Sequence, residues 1–558
     1  MKSPENAALS LKQWSIILFT SLLFLLPGQV SIPVMDRDEA RYAQASRQMI
    51  ETRDFVDIRF QDQTRYVKPI LTYWLQTAST QIFASDTKHI WTYRLPSLIG
   101  ALIAIMVTAW LGARMGGPIV GMWAGLLLAA SMIVTIEART AKTDALLLAA
   151  TVSAQTALYL IWSGIKGSIK AGPQKFLWAP FLFWAGTAIG VLIKGPIILL
   201  VSISTIISLS IWEKNWRWIR TLYPVSGLVL VSLIIAPWLI LITMKTNGQF
   251  WVDSIGHAFL GKVAKSDDSH GMLPGYHLVV YFACFWPASL LTVLQNAYAY
   301  EQRKQAFVKF LLCWLWPCFI IFELVVTKLP HYTLPLYPAI AILTSFGLVN
   351  AKQLLSYTLV ARLHWLNATI FTLFTIVLML VPAGLSYYFG QPLNWLHFVG
   401  LIVGLFIILF ALNWARSTTV KNMVPVLGAT ALFYLITFGS LLPNNLALWP
   451  SYHLSQKIAP FKECKNKPVA IVGYSEPSNV FYQGTKTAFS SASQAVAKLK
   501  QGSVCPFVVI EEKERKLFLK HLEAQKLGAK QVDLLSGVNV SKGKSISLYL
   551  YQITDELN

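Results

Sequence analysis

The sequence predicts a mostly helical fold: a polytopic membrane bundle of about 13 transmembrane helices, followed by a small extramembrane α/β domain. Three observations carry that expectation. Of 558 residues, 55% are apolar and only 13% are charged, whereas an ordinary soluble protein has about a quarter of its residues charged. Aromatics reach 13%, with 20 Trp, and the mean hydropathy is +0.53. The apolar residues fall in runs of about 18 or more, the length that crosses a bilayer as a helix. Disordered and collagen-like chains are excluded, and a soluble enzyme is disfavoured.

Taken in order, the apolar runs lie near 14–34, 91–112, 117–136, 143–163, 177–193, 195–212, 223–243, 275–297, 309–326, 332–349, 365–388, 396–414 and 424–443. The first reads as a retained helix, not a cleaved signal peptide: no small-x-small site precedes Met35. Polar stretches interrupt the series at 35–90, where interfacial helices are expected, and at 244–275, which reads as a flexible loop. The division is thus a transmembrane domain over 1–448 and a soluble domain over 449–558.

Lys and Arg set the orientation. With the N-terminus in the cytoplasm, seven short inward segments carry 16 basic and 3 acidic residues, against four basic residues in the short outer loops (Arg139, Lys142, Lys194 and Lys328). An odd number of spans then puts 449–558 outside, in the periplasm of a bacterial inner membrane. The net charge of +21 is spread over these loops with no nucleic-acid motif, so anionic lipid is the expected partner and nucleic acid is not.

In the tail, Pro468–Gly473 and Pro506–Glu511 read as buried strands, Glu512–Leu527 as an amphipathic helix and Ser545–Tyr551 as an alternating strand. The expected role is a structural cap. Cys284, Cys313 and Cys318 lie in apolar runs and read as packing residues. Cys464 and Cys505 are a disulfide candidate in an oxidising compartment, with free thiols as the alternative. The spacing requires no cofactor, and a divalent metal is left undecided.

The polar stretch Asp36–Trp74 is the most informative. Glu39–Thr52 has helical spacing with an apolar stripe of Tyr42, Ala45, Met49 and Ile50. Asp38 and Arg41, three apart, share a face of the first turn. A carboxylate there either satisfies the helix start or acts as a base or positioning group. Lys68, before Pro69, either snorkels to headgroups or grips a phosphate. Tight outer loops add Glu137, Arg139, Lys142 and Asp144, then Lys194-Gly195-Pro196, then Lys328-Leu329-Pro330-His331-Tyr332. Charged groups from five segments on one membrane face suggest a cavity for an anionic amphiphile. Asn247–Gly275, with His257, Lys262, Lys265 and His270, reads as a surface or binding loop.

Asp38-Glu39-Ala40-Arg41-Tyr42-Ala43, just after the first span, resembles the opening motif of polyprenyl-phosphate-dependent glycosyltransferases of the GT-C type. The branch is that of the lipid A aminoarabinose transferases, related to protein O-mannosyltransferases. The resemblance extends through Tyr66-Val67-Lys68-Pro69, Thr143-Asp144, Lys194-Gly195-Pro196 and Lys328–Tyr332, roughly over 30–350. It implies a GT-C fold and transfer with inversion of a sugar, aminoarabinose on undecaprenyl phosphate in this branch, to an acceptor such as lipid A phosphate. By matching position, Asp38 is the principal catalytic carboxylate and Asp144 the second. Arg41, Tyr42, Tyr66, Lys68, Lys328 and Tyr332 are substrate contacts, and His257 and Lys262 are looser matches. Relatives often carry Glu before the KP lysine; here it is Val67, so that role is lost or moved. A protein O-mannosyltransferase-like activity is the first alternative. A lipid or solute transporter, with Glu323 marking a pathway, is the second.

Overall fold

A computed structural model describes residues 8–165, 178–254, 256, 272–464, 467–540 and 542–554. Within them, every apolar run of the sequence forms helix. Eight helices are long and apolar enough to cross a membrane, or up to ten if each of two sharply bent pairs is one span.

Helix α1 (Leu11–Leu25) starts at a capping box in which Ser10 and Gln13 satisfy each other's backbone N–H groups. At 15 residues it is shorter than the expected run 14–34. Pro27 and Gly28, the latter at φ 84°, end it and turn the chain through 26–35. The polar stretch then forms α2 (Asp38–Thr52), a short hairpin of β1 (Arg59–Phe60) and β2 (Gln63–Thr64), and α3 (Leu71–Phe83).

Next come α4 (Ile90–Gly116), α5 (Pro118–Ala130), α6 (Met132–Ala138) and α7 (Asp144–Ile165). Gly117, at φ 89°, and Pro118 make the tight reversal between α4 and α5. The two helices pack closely because Gly121 has no side chain: a Cβ there would lie 2.4 Å from the Ala109 carbonyl oxygen. The third expected span is not straight, since α5 and α6 bend by 64° at Ser131. Helices α8 (Ala179–Lys194), α9 (Ile197–Glu213) and α10 (Pro224–Lys245) follow.

The eighth expected span, 275–297, is also broken. Helix α11 (Tyr276–Cys284) and the segment Ala288–Glu301, which ends in α12 (Thr292–Glu301), meet at 114°. Beyond lie α13 (Ala306–Leu324), α14 (Tyr337–Val349), α15 (Thr358–Tyr388), α16 (Trp395–Ser417) and α17 (Met423–Ile436).

Glu323, the charge within the ninth expected span, has a structural task. Its carboxylate accepts the backbone N–H groups of Gly275 and His277, both at 2.9 Å, and so caps the start of α11.

After α18 (Pro450–Ile458) the chain forms β3 (Ala470–Val472), α19 (Pro477–Gln483), β4 (Ala488–Ser490), α20 (Ala492–Lys500), β5 (Phe507–Glu511), α21 (Glu512–Ala524), β6 (Gly528–Asn539) and β7 (Lys544–Thr554). The sheet order is β4-β3-β5-β7-β6. Strand β3 runs parallel to β4 and β5, while β7 runs antiparallel to β5 and β6. Both sheet faces are covered by apolar clusters, so Val508, Val509 and Ile510 are buried in succession. A disulfide joins Cys464 to Cys505 beside this core, with Cα atoms 4.9 Å apart.

The tail is more than a cap on the end of the chain. It rests on the polar face of α2. Arg47 donates to the Phe481 carbonyl at 2.8 Å, Gln44 to the Thr485 hydroxyl at 2.7 Å, and the Thr485 hydroxyl to Glu51 at 2.6 Å. Gln44 and Arg47 are buried beneath it, while Ser46 and Gln48 are buried against Gln76 of α3 and Gln61 of the hairpin.

Candidate active site

Asp38 begins α2 at an exposed position, immediately after a constrained turn. Arg37 stands at φ 64°, ψ −103°, a conformation that side-chain-bearing residues rarely adopt. Such a turn persists only if its surroundings hold it, and three sets of contacts do so. Glu39 accepts both Nε and Nη2 of Arg94 at 2.8 and 2.9 Å, and the N–H groups of Met35 and Ala141 at 2.9 Å each. Arg94, fully buried in α4, spends its remaining donors on the carbonyls of Gln29, Ile32 and Pro33. From the tail, the Tyr482 hydroxyl accepts the Val34 N–H at 2.8 Å and the Ser478 N–H donates to Asp36 at 3.1 Å.

Burial pushes the Asp36 carboxyl up to about 6, against the Ser478 hydrogen bond and with help from nearby Glu476. Its neutral form is therefore favoured by folding, and that contribution is lost as pH rises from about 4 through about 6. Asp36→Asn should flatten the pH dependence of the melting temperature over this window and raise stability at pH 8 by on the order of 2 kcal/mol. An unchanged profile would place the titration elsewhere.

The second part of the site lies where α6, α7, α8 and the Lys328–Tyr332 segment converge. Lys194, the last residue of α8, pairs with Asp144, the first of α7. Lys142 meets Glu137 at 3.0 Å, and burial of its ammonium is outweighed by Glu137 and Asp144, which raise its pKa. His331 stands 3.8 Å from Glu137 and 4.0 Å from Asp144. Lys194 lies 5.7 Å from the centre of the Tyr332 ring, an attractive cation–π placement.

The exposed Asp38 lies within electrostatic reach of Lys142, His331, Arg41, Arg65, Tyr42 and Tyr73. Tyr42 stacks on Tyr73 at 5.2 Å, with the Arg65 guanidinium 5.1 Å over the Tyr42 ring. Burial and neighbouring Arg65 lower the Arg41 pKa.

Beside the cluster opens a cavity of about 400 Å³. Tyr66, Val67, Lys68, Lys194, Trp238 and Phe250 are among its lining residues, and most of the wall is apolar. Two cations at the head of an apolar cavity suit an anionic amphiphile. Tyr66 lines the cavity while its hydroxyl donates to Asp57 at 2.7 Å and its ring meets Phe250 edge-on.

Asp38, Arg41, Tyr42, Lys68, Asp144 and Tyr332 are thus drawn to one end of the bundle. Lys328 is at the same end but differently employed. Its buried ammonium donates to the carbonyls of Met272 and Val325 at 2.9 and 2.7 Å, holding the end of α13. His257 and Lys262 lie outside the described residues.

Glu39, Arg94, Arg65 and Tyr73 escaped the sequence reading, and Lys194 was read only as part of a loop motif. The DEARYA pattern contains Glu39, but its partner Arg94 is 55 positions away. Among the described residues, no group of three His, Cys, Asp or Glu side chains is arranged to hold a metal ion.

Residues 67–241 match the family described as dolichyl-phosphate-mannose-protein mannosyltransferase. An undecaprenyl phosphate-alpha-4-amino-4-deoxy-L-arabinose arabinosyl transferase from Enterobacter sp. is 24% identical over 377 residues, 66% of this chain and 65% of that protein. One from Pseudomonas aeruginosa is 24% identical over 348 residues, 61% of this chain and 60% of that protein. These matches reach less than two thirds of either relative's length. The crystal structures of ArnT from Cupriavidus metallidurans, apo and bound to undecaprenyl phosphate, superpose with a TM-score of 0.71 at 17% identity, over 97% of this chain and 98% of that one. In sequence this chain is thus similar to named aminoarabinose transferases and, over 67–241, to the protein mannosyltransferase family, and its fold is that of the ArnT structures.

Proposed function

We propose that this protein is an integral membrane glycosyltransferase that moves a sugar from undecaprenyl phosphate to an acceptor on the periplasmic face, with inversion. The sugar is 4-amino-4-deoxy-L-arabinose and the acceptor is a lipid A phosphate. The observation that carries this reading is the continuity of Asp38, the Lys142–Asp144–Lys194 cluster and the Lys68 cavity at one end of the bundle. If the shorter apolar helices Leu11–Leu25, Ala179–Lys194 and Ile197–Glu213 cross as well as the ten counted above, the crossings number thirteen, and with the N-terminus in the cytoplasm that end faces outward.

The chemistry follows from the residues. An acceptor phosphate oxygen attacks the anomeric carbon, and the bond from that carbon to the carrier phosphate breaks. The electron pair leaves with the polyprenyl phosphate. Lys68 and Lys194, at the head of the apolar cavity, neutralise the charge that grows there; one such group contributes roughly 3 kcal/mol in a water-excluded site. A phosphate acceptor is ionised near neutral pH, so Asp38 orients the acceptor or the sugar. With a hydroxyl acceptor, Asp38 is placed to take the proton.

Lys68→Ala should weaken binding of undecaprenyl phosphate to the purified protein by about 10- to 100-fold, the worth of one charge-assisted hydrogen bond. Unchanged affinity would remove Lys68 from the carrier site. The reading as a whole is tested by mass spectrometry of lipid A and of membrane glycoproteins with the gene on and off. The sugar's mass on lipid A is the expected result. A hexose on protein would establish the mannosyltransferase-like alternative, which the match over 67–241 favours. Solute or lipid movement with no covalent product would overturn both.

A further inference from the structure

At the end of the bundle away from Asp38 lies a second polar cavity that plays no part in the transfer reaction. The span Pro330–Val349 carries His331 into the catalytic cluster at its start, and Lys352 follows its end. Twenty residues of helix separate the two by about 30 Å. The cavity has a volume of about 350 Å³ and lies between the Lys352–Ser356 turn, the first turns of α15 and the end of α16. Lys352, Ser356, His364, Arg416 and Thr418 are among its lining residues.

Its chemistry is that of an anion site with one unused acceptor. Lys352 and Arg416 are exposed, and neither makes an ion pair among the described residues. The first turn of α15 has no side-chain cap, leaving its N–H groups at the positive end of the helix dipole. His364 is 1% exposed and packs edge-on to Trp414 at 5.6 Å. Its Nε2 lies 3.3 Å from the Ala415 carbonyl oxygen, which only accepts, so this nitrogen carries the hydrogen. Its Nδ1 has no hydrogen-bond partner among the described residues, and a buried polar atom left unmatched costs free energy. Glu301, on the preceding helix, is engaged by Gln353 at 3.0 Å.

The outer surface of α15 says how a ligand arrives. Leu359, Leu363, Trp365, Leu366 and Leu373 are all exposed and apolar, the mark of a helix that faces lipid. Basic pockets between helices at the cytoplasmic side suit anionic headgroups.

We propose that this cavity binds the phosphate of an anionic membrane lipid with a hydroxylated headgroup, such as glycerol. Lys352 and Arg416 hold the phosphate, and His364 Nδ1 accepts a headgroup hydroxyl. Its assignment to the cytoplasmic leaflet rests on the orientation given above; binding itself does not depend on transferase activity.

The test is native mass spectrometry of the full-length protein, stripped of lipid and titrated with phosphatidylglycerol, phosphatidylmethanol, phosphatidylcholine or glycerol 3-phosphate. Wild type should bind phosphatidylglycerol about tenfold more tightly than phosphatidylcholine and severalfold more tightly than phosphatidylmethanol, which lacks the hydroxyl. The exposed double variant K352Q/R416Q should lose the first preference, and His364→Phe the second. Lys214→Gln with Arg217→Gln, elsewhere among the inward basic segments, should change neither. Equal binding of all three lipids, or an equal loss in the control variant, would overturn the site. Glycerol 3-phosphate binding as tightly as phosphatidylglycerol would overturn the lipid and assign the cavity to a soluble phosphate.

Discussion

Asp38→Asn is expected to lower sugar transfer by about 100-fold or more while leaving the melting temperature within a degree or two of wild type. The two halves of that expectation have different origins. Asp38 is exposed at the first turn of α2, so an amide of the same shape costs the fold little. Catalysis is different, because the carboxylate lies within electrostatic reach of Arg41, Arg65, Lys142 and His331. Removing its charge takes a negative group away from Arg41 and Arg65, while Lys142 keeps its pairing with Glu137. The measurement is turnover of a synthetic undecaprenyl-phosphate-linked sugar, paired with thermal unfolding in detergent. Turnover at the wild-type rate would end the catalytic assignment.

Glu39→Ala, one residue further on, is expected to behave in the opposite way. It should destabilise the protein by about 3–5 kcal/mol, the usual consequence of stripping one partner from a buried ion pair. Arg94 would be left fully buried with its charge unanswered, and the Met35 and Ala141 N–H groups would lose their acceptor. Activity should fall as well, through release of the Arg37 turn that sets Asp38. Replacing both partners, Glu39→Leu with Arg94→Met, should recover much of the stability and little of the activity. A double variant as unstable as the single one would show that the pair does more than answer its own charge.

Those adjacent residues show what the sequence could reveal. The DEARYA spacing put Asp38 and Arg41 on one face of a first turn and marked the segment as chemical. It could not rank Asp38 against Glu39, because the difference lies in Arg94, 55 positions away. The apolar runs were legible because a bilayer imposes a minimum length on each helix. The bends at Ser131 and between Cys284 and Ala288 were not, since composition stays apolar through both. The strands β3, β5 and β7 stood out as apolar or alternating runs; β4 did not, being three residues taken up only as an edge partner of β3. Lys68 and Lys194 were each readable as anchors, and only packing shows that they line the same cavity. The contacts of the polar face of α2 were not legible for the same reason: its partners, Phe481 and Thr485, lie more than 430 positions later.

That distance along the chain bears on how the molecule is made. The turn carrying Asp38 is written near the start of the message, but two of its restraints, Ser478 and Tyr482, are translated some 440 residues afterwards. A nascent chain arrested before Pro477 would already own the membrane-capable helices and both lysines of the Lys68 cavity. It would still lack the contacts that fix Val34 and Asp36. The turn is therefore fully held only after residues 477–482 have been made and have settled back on the segment ahead of α2.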